Sequence, residues 1–365
     1  MVLNLYENGK RKNKWISTGL DEKGNKRKAE QMLRETLQSY EPFKPSAEML
    51  FTDYIRHWME LVERKVDAVT YQGYELLVNA HILPYFDSKR LKLCEIDAFN
   101  LQSFFDEKAA NGRKDGKGGL APASLRRLKN PINQVLNEAV KNGLLSTNPC
   151  QFVVLPKKER YEAKFYTVKQ LQALFQAIDG DPIAPLVQIV ALYGLRRSEV
   201  LGLQWDSIDF DNGLLTIKHT VSKVTKAIAK DKTKTASSHR SFPLTANAIA
   251  IFEEARRQES ANRIQFGKEY HANEYIFKWP NGTPFAPDYV SQHFRLLLER
   301  HQFPLIRFHD LRHSCASMLL NSGFTLKDVQ EWMGHSDITM TANIYGHLDN
   351  ARKQTMANNI SHLLA

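Results

Sequence analysis

A chain of 365 residues is long enough for two or three domains, and 42% hydrophobic with 25% charged residues excludes a disordered or fibrous protein. No apolar run approaches the roughly 18 residues of a membrane span, and Met1 to Tyr6 turns polar too soon for a secretory signal. The net charge of +10 favours an anionic partner. Cys94, Cys150 and Cys315 are scattered and lack Cys-x-x-Cys spacing, so they are expected to be reduced core residues of a cytoplasmic protein.

Residues 1–45 form a small basic unit. Leu3-Asn4-Leu5-Tyr6 and Lys14-Trp15-Ile16-Ser17 alternate around a turn at Glu7-Asn8-Gly9-Lys10, which predicts a β-hairpin. A helix over about residues 26–39 follows, and Pro42 and Pro45 end it. Between Lys10 and Lys28 lie eight Lys/Arg against two acids. Lys10, Arg11, Lys12, Lys14, Lys26, Arg27 and Lys28 are therefore candidate DNA contacts.

Residues 46–152 read as a four-helix unit. Phe51, Tyr54, Ile55, Trp58, Met59 and Val62 mark one buried face, and further helices are expected over about 70–83, 95–110 and 121–142. Residues 153–165 carry Pro156 and the basic Lys157, Lys158 and Arg160, and read as a DNA-contacting linker. A capping box at Thr167-Val168-Lys169-Gln170 then opens a third domain, 166–347, of mixed α and β structure that is mostly helical. Its hairpin is expected at Ile208–Phe210 and Leu214–Ile217, a further strand at Arg240–Leu244, and helices near 245–259, 287–301, 309–321, 325–333 and 338–345. Met356, Ile360, Leu363 and Leu364 give the tail, 348–365, one apolar helical face.

Four segments of the third domain carry chemistry. Arg196 follows the helix-ending Gly194, with Ser198 expected to help start the next helix; backbone amides and a guanidinium there suit a phosphate. Lys234 lies in a basic stretch between expected strands, with Lys232 as the alternative, and suits proton donation to a leaving alkoxide. His309 and Arg312 fall one helical turn apart. His335 follows the helix break at Gly334, and Tyr345 stands ten residues on. Zinc is a poor reading of these histidines, because the helix lacks the glutamate of His-Glu-x-x-His and no cysteine stands at ligand spacing.

Taken in order, Gly194-Leu195-Arg196-Arg197-Ser198-Glu199, Lys234-Thr235-Ala236-Ser237-Ser238-His239-Arg240, His309-Asp310-Leu311-Arg312-His313, and Gly334-His335 with Tyr345 resemble the signature boxes of the tyrosine recombinases, the phage-integrase family. Met333 stands where leucine is usual. The resemblance covers about residues 46–347. It implies a mainly α multidomain protein with a helical core-binding domain and a catalytic domain clamped around duplex DNA. Tyr345 would then be the nucleophile, giving a 3′-phosphotyrosyl link. Arg196 and Arg312 would hold the phosphate, Lys234 would protonate the 5′-oxygen, His309 would act as base and His335 as a further donor. Glu199 would orient the basic residues, and neither metal, ATP nor other cofactor would be required.

The N-terminal unit resembles the arm-binding domain of integrases from phages and conjugative transposons, with room here for only two of its three strands. The implied partners are core and arm sites on duplex DNA, three further copies of the chain in a tetramer with exchanged tails, an excision factor and a DNA-bending protein. A Xer-type dimer resolvase, a type IB topoisomerase and a non-catalytic DNA-binding protein are the rival readings. The N-terminal unit, the tail and the complete basic set argue against them in turn.

Overall fold

The computed structural model describes residues 2–7, 10–15, 17–20, 24–39, 45–157, 164–223, 227–230, 240–335, 357–358 and 360–361. The chain divides into two compact units, Met1–Lys158 and Glu159–Ala365. Among the described residues no helix is long and apolar enough to cross a membrane.

In the first unit, β1 (Val2–Glu7) and β2 (Lys10–Trp15) pair antiparallel, with Val2 opposite Trp15 and Glu7 opposite Lys10. The second strand thus begins four residues before the expected Lys14. Glu7 pairs with Lys10, and the two residues between them, Asn8 and Gly9, lie outside the described residues. Helix α1 (Lys26–Ser39) follows.

Four helical rods come next: α2 (Phe51–Glu63), α3 (Ala68–Leu77) running into α4 (Leu83–Lys89), α5 (Ala98–Asn111) and α6 (Pro122–Lys141). The α3–α4 rod is longer than the expected 70–83. Asp67 caps its start by accepting from the Val69 and Thr70 amides at 3.2 and 3.3 Å. It passes Pro84, which has no N–H to donate, through a π turn at Val78–Ile82. Amphipathic spacing cannot reveal a π turn, because the apolar stripe merely shifts by one residue.

The rods enclose an aromatic cluster. Phe104 lies 4.9 Å from Tyr85, 5.2 Å from Phe86 and 5.1 Å from Phe105, centroid to centroid. The chain beyond α6 packs back on the bundle. Buried Asn148 donates to Asn133 and Asn137, and Gln102 exchanges two hydrogen bonds with the Val154 backbone. Lys129 donates to the Val153 carbonyl and Arg126 to that of Pro156. Cys94 is exposed, contrary to expectation, whereas Cys150 and Cys315 are buried. The short 3₁₀ turn Leu93–Glu95 buries Leu93 and leaves its neighbour outside.

The second unit is built on α8 (Ala184–Tyr193), a helix with seven buried residues, which packs on α12 (Asp310–Asn321). Around them lie α7 (Val168–Ala177), α9 (Arg197–Val200), α10 (Ala246–Phe266), α11 (Pro287–Arg300) and α13 (Leu326–Met333). Thr167 and Gln170 form the expected reciprocal cap on α7.

A three-stranded sheet has the order β3 (Ile208–Asp209), β4 (Leu214–Thr216), β7 (Ser241–Pro243), all antiparallel. A second hairpin, β5 (Thr220–Lys223) with β6 (Ala227–Lys230), was not expected. Its lysines hid the alternation. The helix expected over 338–345 lies outside the described residues.

Phe104→Ala should destabilise the helical unit by about 3–5 kcal/mol, because it leaves a cavity among three rings. Urea unfolding of the variant checks this, and a loss below about 1 kcal/mol would show the cluster is not the core's centre.

Candidate active site

Three short stretches bring the site together. At the first, α8 ends on Gly194, whose φ of 65° is left-handed. A β-carbon at Gly194 would also stand 2.5 Å from the Met333 sulfur, so glycine is favoured by its left-handed conformation, and a side chain there would make Met333 shift. The chain then turns outward, and Arg196, in extended conformation, is the residue that caps α9. Ser198 lies inside α9 and does not start it. The cap is reversed from the usual kind: Glu199 reaches back and accepts from the Arg196 amide at 2.8 Å and its guanidinium at 2.6 Å.

The second stretch is the start of α12. Buried Asp310 holds Arg307 through its amide at 2.8 Å and its guanidinium at 2.7 and 3.1 Å, which fixes the turn into the helix. His309 stands immediately before α12, without a side-chain capping bond, and is exposed, with its ring 5.2 Å from that of His313 and edge-on to it. Arg312, one turn on, is 2% exposed and donates to the carbonyls of Gly194 and Met333.

The third stretch ends α13. Thr325 and Asp328 cap its start reciprocally, and Gly334 with φ of 62° ends it. His335 follows, 7% exposed, with its amide donating to the Gln330 carbonyl at 3.1 Å.

These stretches meet at three consecutive carbonyls. Trp332 accepts from Arg240 Nε at 3.1 Å, Met333 accepts from Arg312, and Gly334 accepts from Arg196 at 2.8 Å. The end of a helix leaves carbonyls without intrahelical donors and carries partial negative charge, so three cations are attracted there. Among the described residues, Glu199, 1% exposed, supplies the carboxylate bonded to these arginines, and it also accepts from Arg240 at 3.0 and 3.2 Å. Three guanidinium charges against one carboxylate leave an excess of positive charge.

The titration behaviour records that excess. Burial alone would raise the Glu199 carboxyl, but the Arg240 hydrogen bonds and the charges of Arg240 and Arg196 outweigh it and bring it to about 2. Burial, then Arg196 and Arg240, lower Arg312 to about 9 against the pull of Glu199. Burial and the charges of Arg312 and Arg196 hold His335 at about 3. Burial, His313 and Arg312 hold His309 at about 4, with Asp310 opposing. His309 exposes area yet is crowded by neighbours, as a group on a cleft wall would be. At neutral pH the site therefore presents charged arginines and neutral imidazoles, the donors an anion needs.

Arg196, Arg312 and His335 come together, with His309 beside Arg312. Lys234, the alternative Lys232 and Tyr345 lie outside the described residues. Of the candidate DNA contacts, Lys26, Arg27, Lys28 and Lys157 are exposed. Three cations in the first turn of α1 oppose its dipole, a placement that folding alone does not favour. Lys10, Arg11, Lys12 and Lys14 lie on β2, while Lys158 and Arg160 are outside the described residues. Among the described residues no group of three His, Cys, Asp or Glu is placed to hold a metal ion.

Sequence reasoning missed two features. Arg240 had no role of its own in the sequence reading, yet it shares Glu199 with Arg196. A hollow of about 540 Å³ on α6 is lined by Arg126, Arg127, Lys129, Asn130 and Asn133 with Cys150 and Gln151. The available signal was a helix without an acidic residue from Pro122 to Asn137.

Because the Glu199 carboxyl is held below its unfolded value, the stability it contributes is present above pH 4.5 and is lost as pH falls toward 2. Glu199→Gln should be less stable at pH 7, and the gap to the parent should close by on the order of 3 kcal/mol between pH 5 and 2. Denaturation curves that stay parallel across that window would contradict the assignment.

The family model described as "Phage integrase family" matches residues 164–352, and that of the "Phage integrase, N-terminal SAM-like domain" matches residues 50–108. A XerC-like tyrosine recombinase of Caldanaerobacter subterraneus is 26% identical over 85% of this chain and 82% of its own length. The ICEBs1 integrase of Bacillus subtilis is 24% identical over 80% of this chain and 78% of its own. The fold of the Tn1549 transposon integrase, solved in complex with transposon right end DNA, superposes with a TM-score of 0.70 at 19% identity, covering 86% of this chain and 100% of that one. With the catalytic-domain model spanning more than half of its length, the chain belongs to the phage integrase family and is a tyrosine-type site-specific recombinase.

Proposed function

We propose that this chain integrates and excises a mobile DNA element by cutting each strand through a 3′-phosphotyrosyl intermediate. The observation that carries the reading is the excess positive charge of Arg196, Arg240 and Arg312 around Glu199 at the end of α13. A phosphodiester brings one negative charge, and its pentacoordinate transition state two. The cluster is thus better matched to the transition state than to the ground state, which is the condition for catalysis.

In this reading the Tyr345 oxygen attacks phosphorus as the bond from phosphorus to the 5′-oxygen breaks. His309, neutral at pH 7, takes the phenol proton. Lys234 gives a proton to the departing 5′-oxygen, and Lys232 is the alternative. Arg196 and Arg312 hold the non-bridging oxygens with donors not spent on carbonyls, and His335 donates a further hydrogen bond. The phosphotyrosyl bond conserves the energy of the phosphodiester, so a 5′-hydroxyl from another strand reverses the step without ATP.

The partner is duplex DNA. The exposed Lys26, Arg27, Lys28 and Lys157, together with the basic hollow on α6, favour a chain that touches its site at several places. Names among the relatives, an ICEBs1 integrase and a prophage ps2 probable integrase, favour a mobile element as the context. Four copies exchanging tails on two duplexes, acting in the cytoplasm of a bacterial host with an excision factor and a DNA-bending protein, complete the proposal.

On a nicked core-site duplex, the wild type should leave a covalent protein–DNA adduct that Tyr345→Phe abolishes. Arg312→Ala should slow adduct formation by about 10²–10³-fold. No adduct from the wild type, or an undiminished one from Tyr345→Phe, would overturn the reading. With His309 and His335 both held far below the ordinary imidazole value, kcat/KM should stay flat between pH 7.5 and 5.5. An acid limb centred near 6.5 would show that a histidine of ordinary pKa governs the reaction instead.

A further inference from the structure

We propose that Arg240 is a positioning residue for the scissile phosphate, acting through Glu199 on the Arg196 guanidinium. The inference rests on the recombinase reading of this site. Each Glu199 oxygen takes one donor from each arginine. Oε1 accepts from Arg196 Nη1 at 2.6 Å and Arg240 Nη1 at 3.2 Å; Oε2 accepts from the Arg196 amide at 2.8 Å and Arg240 Nη2 at 3.0 Å. A carboxylate gripped from one side can swing about its last torsion. Four donors from two sides fix its plane, and with it the direction of Arg196.

Arg240 is itself held. Its Nε donates to the Trp332 carbonyl at 3.1 Å, its guanidinium lies 5.2 Å from the centre of the Phe242 ring, and its carbonyl accepts from the Ile217 amide at 3.0 Å. All three of its guanidinium nitrogens already donate to protein acceptors, Trp332 and the two Glu199 oxygens, so its part is to fix other groups and not to touch DNA. Fold stability alone does not favour the arrangement, since burying a third guanidinium beside Arg196 and Arg312 costs more than an apolar side chain of that size. The placement is explained if a phosphate is the missing counter-charge.

The test measures single-turnover cleavage by Arg240→Met and Arg240→Lys, with Arg196→Ala as reference, on three forms of one nicked core-site duplex. One form has the natural phosphodiester. The second has a methylphosphonate at the scissile position, which removes a negative charge and so lessens the need for Arg196. The third has a 5′-bridging sulfur, a leaving group that needs no proton and so bypasses the lysine. Arg240→Met should cleave the natural duplex about 10–100-fold more slowly at saturating DNA, with Kd within about threefold of wild type. Like that of Arg196→Ala, its deficit should shrink at least about fivefold on the methylphosphonate and persist on the bridging sulfur, with Arg240→Lys intermediate.

A full rate in Arg240→Met, an equal deficit on all three duplexes, or a deficit erased by the bridging sulfur would each overturn the proposal. The last would assign Arg240 to the lysine instead. If Arg240→Met does not fold, the same pattern is read from Arg240→Lys. Failure of the wild type to form an adduct on the natural duplex is a separate result that sinks the recombinase reading itself.

Discussion

The second unit is organised by an electrostatic constraint: guanidinium groups from three distant parts of the chain must sit within a few ångströms of one another before any substrate arrives. Like charges so placed repel, and burial adds the cost of lost water. The unit meets this by offering the end of α13, where three consecutive carbonyls each accept from a guanidinium, and a buried carboxylate, Glu199. Gly194 and Gly334 allow the close approach, one by admitting Met333 against the end of α8 and the other by ending α13 in a left-handed turn.

That arrangement links two of the arginines to the segment that follows α13. Arg196 and Arg312 are bonded to the end of α13, and His335 is the next residue along the chain. Moving α13 would disturb two arginines and His335 together, so the parts of the site stand or fall as a group. The helical unit serves a different end. Its aromatic cluster and the hydrogen bonds of Asn148 and Gln102 make a platform on which α6 presents the basic and amide side chains that line its hollow.

Much of this was legible in the sequence because it is local. Spacing within one helix turn tied His309 to Arg312, the glycines marked the helix ends, and Thr167-Val168-Lys169-Gln170 announced its helix. What escaped depended on contacts between remote residues. Arg240 and Glu199 are forty-one residues apart, and Arg240 and Trp332 ninety-two. Nothing in a linear pattern says that they share a bond. The π turn before Pro84 and the lysine-rich β5–β6 hairpin escaped for another reason: neither changes apolar periodicity enough to be seen. Ser198 was expected to start α9, since serine is a common cap. The carboxylate of Glu199 does that work from inside the helix, because it is also the counter-charge of two arginines.

A structure of the chain bound to its core-site duplex, with orthovanadate standing for the pentacoordinate phosphorus, tests the central claim most directly. Arg196, Arg312 and His335 should each place a donor within hydrogen-bond distance of the equatorial oxygens, with Tyr345 at one apex and Arg240 still on Glu199. Vanadate bound away from the end of α13, or arginines drawn off Glu199 and the helix carbonyls to reach it, would contradict the account.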